Sequence, residues 1–295
     1  MVIHYQHLYK PDAVMKHSFS QYGLLLFLVV SILTIFIVRT ALAAHGHPPR
    51  FNDLFTAITL AGSLGVLLTK YRSLQKSDWI AAITLGGVVG AGMVFATLFS
   101  PYPFFEIVRG NLGQAVVRGL SATLAMLGGL VITRQGGPVQ VRAANLEWRK
   151  VGTSLVLGLG IGVPLAVMNV FALQLTQGKS IVWQSPLAAV IDALQPGIVE
   201  EVIYRFALLS LLWLALHKTM PRQAAWLAGL LALLVHTFMH FDDLFLQAPL
   251  VALGMGLAMA GIWGLPLTIL VLRRDLESAM AFHWIQDLAR FITGF

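Results

Sequence analysis

Apolar runs separated by short polar loops account for most of the chain. A helix needs about 17–25 mostly apolar residues to cross roughly 30 Å of hydrocarbon. Runs of suitable length lie at 22–44, 54–69, 79–99, 113–133, 151–174, 187–216, 223–240, 248–272 and 276–294. The pattern predicts an all-α fold, a polytopic membrane protein of eight or nine transmembrane helices. The long run at 187–216 contains Pro196-Gly197, so we expect a kinked helix or two half-segments there.

Composition supports the membrane assignment and excludes several classes of site. The chain is 57% hydrophobic and 11% charged, with a mean hydropathy of +0.78, whereas soluble domains carry about 25% charged residues. A soluble globular enzyme is therefore excluded. The absence of cysteine excludes disulfides, thiolate nucleophiles and Cys-type zinc sites.

The net charge of +7 could indicate nucleic-acid binding, but the basic residues lie in loops between apolar runs. We therefore expect membrane lipids as partners and no nucleic acid. Most Lys and Arg residues fall on one side if the N-terminus is cytoplasmic, and this orientation follows the positive-inside rule. We expect an integral multi-pass protein of a bacterial inner membrane.

The N-terminal run also resembles a secretory signal, because Ala41-Leu42-Ala43 follows the small-x-small pattern of a cleavage site. The run is longer than a usual signal core and Arg39 precedes the site, so a retained helix is favoured. The polar linker predicts three regions: a four-helix region at 1–133, a cytoplasmic linker at 134–150 and a catalytic membrane region at 151–295, with the motifs within 187–294.

Ionisable residues at membrane depth cluster in the second half of the chain, and each one is energetically costly. On a helix, Glu201 and Arg205 are four residues apart on one face, a spacing that permits an ion pair. One guanidinium neutralises one carboxylate, so Glu200 remains as the surplus acid. Such a carboxyl group in an apolar site is suited to be a general base. A purely structural Glu–Arg pair would explain Glu201 and Arg205 but not Glu200.

Two later runs supply histidines. His236 and His240 are four residues apart, but Thr237 stands where the zincin pattern requires Glu, so a classical zinc protease is excluded. We expect His240 to be a core residue bonded to a carbonyl, and the deeper His236 to be functional. His283 and Asp287 are again four residues apart, a spacing that suits an oriented imidazole or a structural pair near a helix end.

The ordered motifs Glu-Glu-x-x-x-Arg, a His on the next helix and His-x-x-x-Asn/Asp resemble the CPBP family of intramembrane proteases. This family comprises CAAX proteases and bacteriocin-processing enzymes, with the Rce1-type CAAX prenyl endopeptidases among its members. The resemblance implies that Glu200 activates water and that Glu201 and Arg205 complete the first motif. It assigns His236 to the second motif, and His283 and Asp287 to the third.

Two positions depart from the family pattern. The second motif usually reads Phe-x-x-x-His, and Ala232 stands four residues before His236. Choosing His240 would put His236 in the Phe position, so His236 is the first choice and His240 the reserve. Asp287 replaces the more usual Asn. Counting from the predicted helix ends also puts Glu200 and His236 near mid-membrane but His283 only about 10 Å deep.

The resulting hypothesis is peptide-bond hydrolysis of a membrane-associated substrate within the bilayer. Glu200 would deprotonate a water held between it and His236, and His283, supported by Asp287, would stabilise the oxyanion. Alternatively, Glu200, His236 and His283 would bind one Zn²⁺. A proton- or ion-coupled transporter and a non-catalytic scaffold of the same fold are the alternative functions. The first half lacks the acidic counterpart that an inverted repeat would supply.

Overall fold

The computed structural model is all-α over the residues that it describes. These are 11–43, 45–46, 48–97, 105, 107–108 and 110–295, with side chains described from residue 22 onward. The helices are α1 Pro11–Ala43, α2 Phe51–Lys70, α3 Lys76–Met93, α4 Asn111–Arg134, α5 Trp148–Gln177, α6 Pro186–Asp192, α7 Leu209–Leu216, α8 Ala224–Phe238, α9 Asp242–Gln247, α10 Pro249–Met259, α11 Leu265–Arg273 and α12 Leu276–Thr293. Two π-helical segments, Gln195–Leu208 and Ala260–Gly264, lead directly into α7 and α11.

Six helices in this part of the chain are long and apolar enough to cross a membrane, which confirms an all-α integral membrane protein. They are Tyr22–Ala43, Phe51–Ser73, Asn111–Arg134, Trp148–Gln177, Ala224–Gln247 and Pro249–Arg273. The predicted spans at 187–216 and 276–294 are helical but carry the acidic and basic residues of the motifs, and α3 begins with charged residues. The count of eight or nine spans therefore stays a prediction.

The π-helical segment Gln195–Leu208 lies at the centre of the molecule. It packs against α12, α4, α2 and α8, and every residue from Val199 to Leu208 is buried. In a π-helix the backbone bonds run from residue i to i+5, and such segments are frequent at functional sites. The predicted break is present, because α6 ends at Asp192 and Pro196 lies at the start of the new segment. The chain stays helical across this point, because the Ala193 and Gly197 amides donate to the carbonyls of Ala189 and Ala193. The run at 187–216 is therefore an interrupted helix rather than two separate half-segments.

Glycines allow α12 to approach its neighbours closely. A Cβ atom on Gly197 would lie 2.5 Å from the Trp284 Cα, so the π-helical segment and α12 touch through their backbones at this point. Gly158 and Gly162 of α5 meet the backbone of α12 in the same way, near Ser278 and Phe282. Close approach of backbones at small residues is typical of helix packing in membranes. We call the contact of the π-helical segment with α12 at Gly197 and Trp284 the seam. It sets the distance between the motif on α12 and the motif on the π-helical segment.

The linker 134–150 is attached to both halves of the molecule. Arg134 forms a bidentate pair with the buried Asp78 of α3, at 2.7 and 3.0 Å. Arg142 contacts Asp275 just before α12 and also Glu147. Lys150 and Arg142 hold the pKa of the Glu147 carboxyl below its usual range. Because α2 and α4 also pack directly on the π-helical segment, the division at 133 and 150 stays a prediction.

Candidate active site

Glu200 lies at the centre of a cluster of polar side chains and is 7% exposed. Its Oε2 atom is 2.8 Å from His236 Nε2 and 3.8 Å from His240 Nε2. Its Oε1 atom accepts a hydrogen bond from Gln195 Nε2 at 3.3 Å. The π-helical segment therefore presents Glu200 to both histidines of the α8 region. From the sequence, a water is expected between Glu200 and His236, whereas the structure joins the two side chains by a direct hydrogen bond.

Arg205 connects the first motif to the second. Its Nη1 donates to Glu201 Oε1, forming the predicted ion pair across one turn, and also lies 2.7 Å from His236 Nδ1. A guanidinium only donates, so His236 Nδ1 must accept. The neutral ring then carries its proton on Nε2 and donates it to Glu200 Oε2. This tautomer follows from the heavy-atom geometry. Arg205 thus orients the imidazole that holds Glu200.

His283 lies between two carboxylates. Its Nδ1 is 2.7 Å from Glu201 Oε1, and its Nε2 is 3.1 Å from Asp287 Oδ2. Ionised carboxylates only accept, so an imidazolium is the form that donates to both. Asp287 also accepts from Arg290 Nη1 at 2.8 Å. Counting residues from the predicted helix ends separated His283 from the first motif in depth, but its ring contacts Glu201 directly, so the helices are offset along their axes.

A cavity of about 1080 Å³ adjoins the cluster. Three of the predicted site residues line it, namely Glu200, His240 and Asp287. His236 and His283 do not line it. His236 instead contacts Glu200, and His283 contacts Asp287, so each histidine meets the cavity only through a carboxylate. The cavity is slightly larger than the usual range of small-ligand sites, about 300–1,000 Å³. A substrate or water in this space would therefore meet Glu200 and His240 first.

From the sequence, His240 is expected to be a core residue and only the second choice for the second motif. Its Nδ1 donates to the carbonyl of His236 at 2.8 Å, as expected for a core histidine. This bond leaves Nε2 directed toward Glu200, at the cavity. Its side chain is 36% exposed, against 5% for His236. The two rings meet edge to face, 5.2 Å apart. His240 thus combines the local backbone bond with access to the cavity.

The possible metal ligands that the structure brings together differ in one member from the predicted set. Within the described residues, the ligand atoms of Glu200, His236 and His240 lie within 4.8 Å of one another. His283 is outside this group because its ring nitrogens are bonded to Glu201 and Asp287. A Zn²⁺ ion bound at His236 Nε2 would require the proton on Nδ1, where Arg205 Nη1 already donates. The donor set therefore does not fit a metal in this arrangement.

The first half contributes residues that sequence reasoning did not assign to the site. Tyr204 stacks on His236, with ring centroids 5.0 Å apart. Its hydroxyl contacts Thr56 Oγ1 at 2.9 Å and the carbonyl of Asn52 at 3.1 Å, both on α2. Arg118 of α4 lines the cavity. The sequence does contain an indication that Arg118 is functional, because it is the one ionisable residue deep within the predicted spans of the first half.

Comparison with known proteins finds a similarity for one region of the chain. Residues 182–289 match the model of a family described as type II CAAX prenyl endopeptidase Rce1-like. No curated protein and no solved structure shows a significant match to the chain. The matched region contains the π-helical segment, both histidines near α8 and the motif on α12. The predicted resemblance is confirmed for residues 182–289, which are similar to the Rce1-like family, a family of proteases.

Proposed function

We propose that this protein is an intramembrane endopeptidase that hydrolyses a peptide bond of a membrane-associated substrate, with Glu200 as the general base. One observation carries the proposal: the Glu200 carboxylate lines the cavity, is otherwise buried, and is held from behind by His236 at 2.8 Å. A positioned carboxylate with room for water on its open side has the geometry that general-base catalysis requires.

In the proposed reaction, Glu200 takes a proton from a water molecule in the cavity while the water oxygen attacks the peptide carbonyl carbon. The tetrahedral intermediate collapses with cleavage of the C–N bond. The proton held by Glu200 passes to the leaving nitrogen, so the products are a carboxylic acid and an amine. Removing a positioned general base typically lowers the rate by about 10²–10⁴-fold.

We assign the oxyanion role to His240 rather than to His283. His240 lines the cavity, and its Nε2 lies 3.8 Å from Glu200 Oε2. In the imidazolium form this nitrogen donates a hydrogen bond to the developing oxyanion. Both ring nitrogens of His283 are bonded to carboxylates, so His283 acts as a positioning residue that holds Glu201 and Asp287 together.

Glu201, Arg205 and His236 form the positioning layer of the proposed site. Arg205 bridges the other two, and His236 donates to Glu200. This chain of bonds directs one oxygen of Glu200 toward the second-motif helix and restricts its rotation. Preorganised groups of this kind lower the cost of reaching the transition state because they need no rearrangement during the reaction.

The proposal is tested by isotope labelling with peptide mixtures. The protein is purified in detergent micelles, without a gradient, and incubated with a library of apolar synthetic peptides in H₂¹⁸O. Hydrolysis puts ¹⁸O into each new C-terminal carboxyl group, which mass spectrometry detects. We expect labelled termini with the unsubstituted protein and a loss of about 10²–10⁴-fold in rate with Glu200→Gln.

Glu277→Gln is the matched control. Glu277 is also a buried glutamate, at the start of α12, but it accepts a hydrogen bond from the Ala143 amide and does not line the cavity. Its replacement should leave the labelling rate unchanged. Retention of labelling in Glu200→Gln, or no labelled termini from the unsubstituted protein, would contradict the proposal. Labelling without a gradient would count against the transporter alternative.

A further inference from the structure

Arg118 of α4 is a buried cation without a hydrogen-bond or ion-pair partner among the described residues. It is 5% exposed, and its Nε is a buried atom that makes no hydrogen bond. No described carboxylate oxygen lies within ion-pair distance of it. It lines the same cavity as Glu200. A buried guanidinium is costly unless its charge and donors are satisfied, so this position calls for an anionic partner.

The ion pairs of the site do not include Arg118. Arg205 and the His283 imidazolium contact Glu201, and Arg290 contacts Asp287. Glu200 accepts a hydrogen bond from the neutral His236 and forms no ion pair with an arginine among the described residues. Elsewhere on the cavity wall, Arg39 is paired with Asp242 at 3.3 Å. Glu200 and Asp53 attract Arg118 electrostatically, but neither forms an ion pair with it. Arg118 is therefore a buried cation without a direct ionic contact in the part of the chain that the structure describes, at the wall of a space large enough for a short peptide.

We propose that Arg118 is a substrate-binding residue that holds a carboxylate of the bound peptide within the cavity that Glu200 also lines. This inference rests on the proposed proteolytic function. A guanidinium matches a carboxylate with two parallel N–H···O bonds, and such bidentate pairs are among the strongest in proteins. A peptide carries this group at its C-terminus and on acidic side chains, so Arg118 selects peptides with a carboxylate near the scissile bond.

The test measures binding and does not depend on hydrolysis. Three dansylated tripeptides serve as probes: Leu-Val-Leu with a free carboxylate, Leu-Val-Leu amide, and Leu-Glu-Leu amide. Fluorescence anisotropy reports their binding to the full chain carrying Glu200→Gln, in detergent micelles, with empty micelles as the background. The first probe places the carboxylate at the C-terminus, the third places it on a side chain, and the second carries none.

We expect at least one carboxylate probe to bind roughly 10- to 100-fold more tightly than the neutral amide. Adding Arg118→Gln should abolish this preference, and Arg118→Lys should retain part of it. The relative affinities of the first and third probes distinguish a C-terminal carboxylate from an acidic side chain. Arg39→Gln is the matched control, because it removes a cavity-lining arginine that already has a partner, and it should keep the preference.

Equal binding of all three probes would overturn the inference, and this comparison needs no substitution at position 118. Persistence of the preference in Arg118→Gln would overturn it as well. Failure of the proposed function is a separate result, since it appears as missing ¹⁸O labelling while the binding preference remains. A preference that disappears in Arg118→Gln, together with ¹⁸O labelling by the unsubstituted protein, would support both proposals.

Discussion

At the scale of single residues, the contact between Arg205 and His236 bears on whether the candidate site is of the glutamate type or the metal type. Arg205 Nη1 lies 2.7 Å from His236 Nδ1, and His236 Nε2 lies 2.8 Å from Glu200. With Nδ1 accepting, the His236 proton sits on Nε2 and faces the carboxylate. Sequence reasoning left the choice between a glutamate-type and a metal-type site open. The Arg205 contact favours the glutamate type. A metal at His236 Nε2 would put a proton on Nδ1, and this N–H would then face the N–H of Arg205 Nη1.

We therefore predict that hydrolysis does not depend on a bound metal ion. Dialysis of the purified protein against a strong chelator should leave the ¹⁸O-labelling rate unchanged, and added Zn²⁺ should not increase it. A classical zinc peptidase treated in parallel provides the control, since it loses its activity when the ion is removed. Loss of labelling after dialysis, with recovery on addition of Zn²⁺, would show that His236 adopts the other tautomer and ligates a metal.

At the scale of helices, the site depends on a seam between the π-helical segment Gln195–Leu208 and α12. The segment carries Glu200, Glu201 and Arg205, while α12 carries His283 and Asp287. Gly197 is the position at which the two backbones touch. Because Gly197 has no side chain, Glu201 and His283 come within 2.7 Å. The proline break predicted from Pro196-Gly197 thus coincides with the packing contact that joins the first and third motifs.

Gly197→Ala should separate these two elements. The added Cβ would lie 2.5 Å from the Trp284 Cα, and a backbone neighbour cannot move aside as a flexible side chain can. We expect a loss of about 1–3 kcal/mol in stability, as for other overpacked cores, and a loss of labelling activity as Glu201 and His283 move apart. Thermal unfolding of the purified protein, followed by its intrinsic fluorescence, measures the first effect.

Gly160→Ala on α5 is the control for this substitution, because no atom lies within 4 Å of a Cβ at that position. An alanine in an open helical position is expected to stabilise the helix by roughly 0.5–1 kcal/mol. If Gly197→Ala melted at the same temperature as Gly160→Ala and kept its activity, the seam would not be the feature that positions the third motif.

At the scale of the whole molecule, the cavity lies at one end of the helices. Its wall includes Arg39, Arg50, Asp242 and Arg290, which belong to the ends that the positive-inside rule predicts to be non-cytoplasmic. The segment after α5 reaches the same end, since the Val182 amide donates to the Thr293 carbonyl at the end of α12. With a cytoplasmic N-terminus, substrate would therefore reach Glu200 from the non-cytoplasmic side.

The orientation can be measured directly because the chain has no cysteine. Single cysteines at exposed positions, Gln140→Cys in the linker and Lys179→Cys after α5, can be labelled in intact cells with a membrane-impermeant maleimide. We expect Lys179→Cys to react in intact cells and Gln140→Cys to react only after the membrane is disrupted. The reverse pattern would invert the orientation and place the opening of the cavity in the cytoplasm.

What the sequence alone determined is local or statistical in origin. The length of the apolar runs specifies a helical membrane protein, because unpaired backbone groups are too costly in lipid. Within single helices, the spacing of four residues predicts the Glu201–Arg205 and His283–Asp287 contacts, and both are present. The same spacing accounts for the bond from His240 to the carbonyl of His236. Such contacts depend only on helix geometry.

Tertiary structure decided which of these groups meet across helices and which reach open space. Arg205 joins Glu201 to His236 because α8 packs against the π-helical segment. His240 rather than His236 lines the cavity, and Arg118 arrives there from the first half of the chain. No periodicity encodes these juxtapositions, since they depend on how closely the backbones approach at positions such as Gly197 and on the break in the run at 187–216.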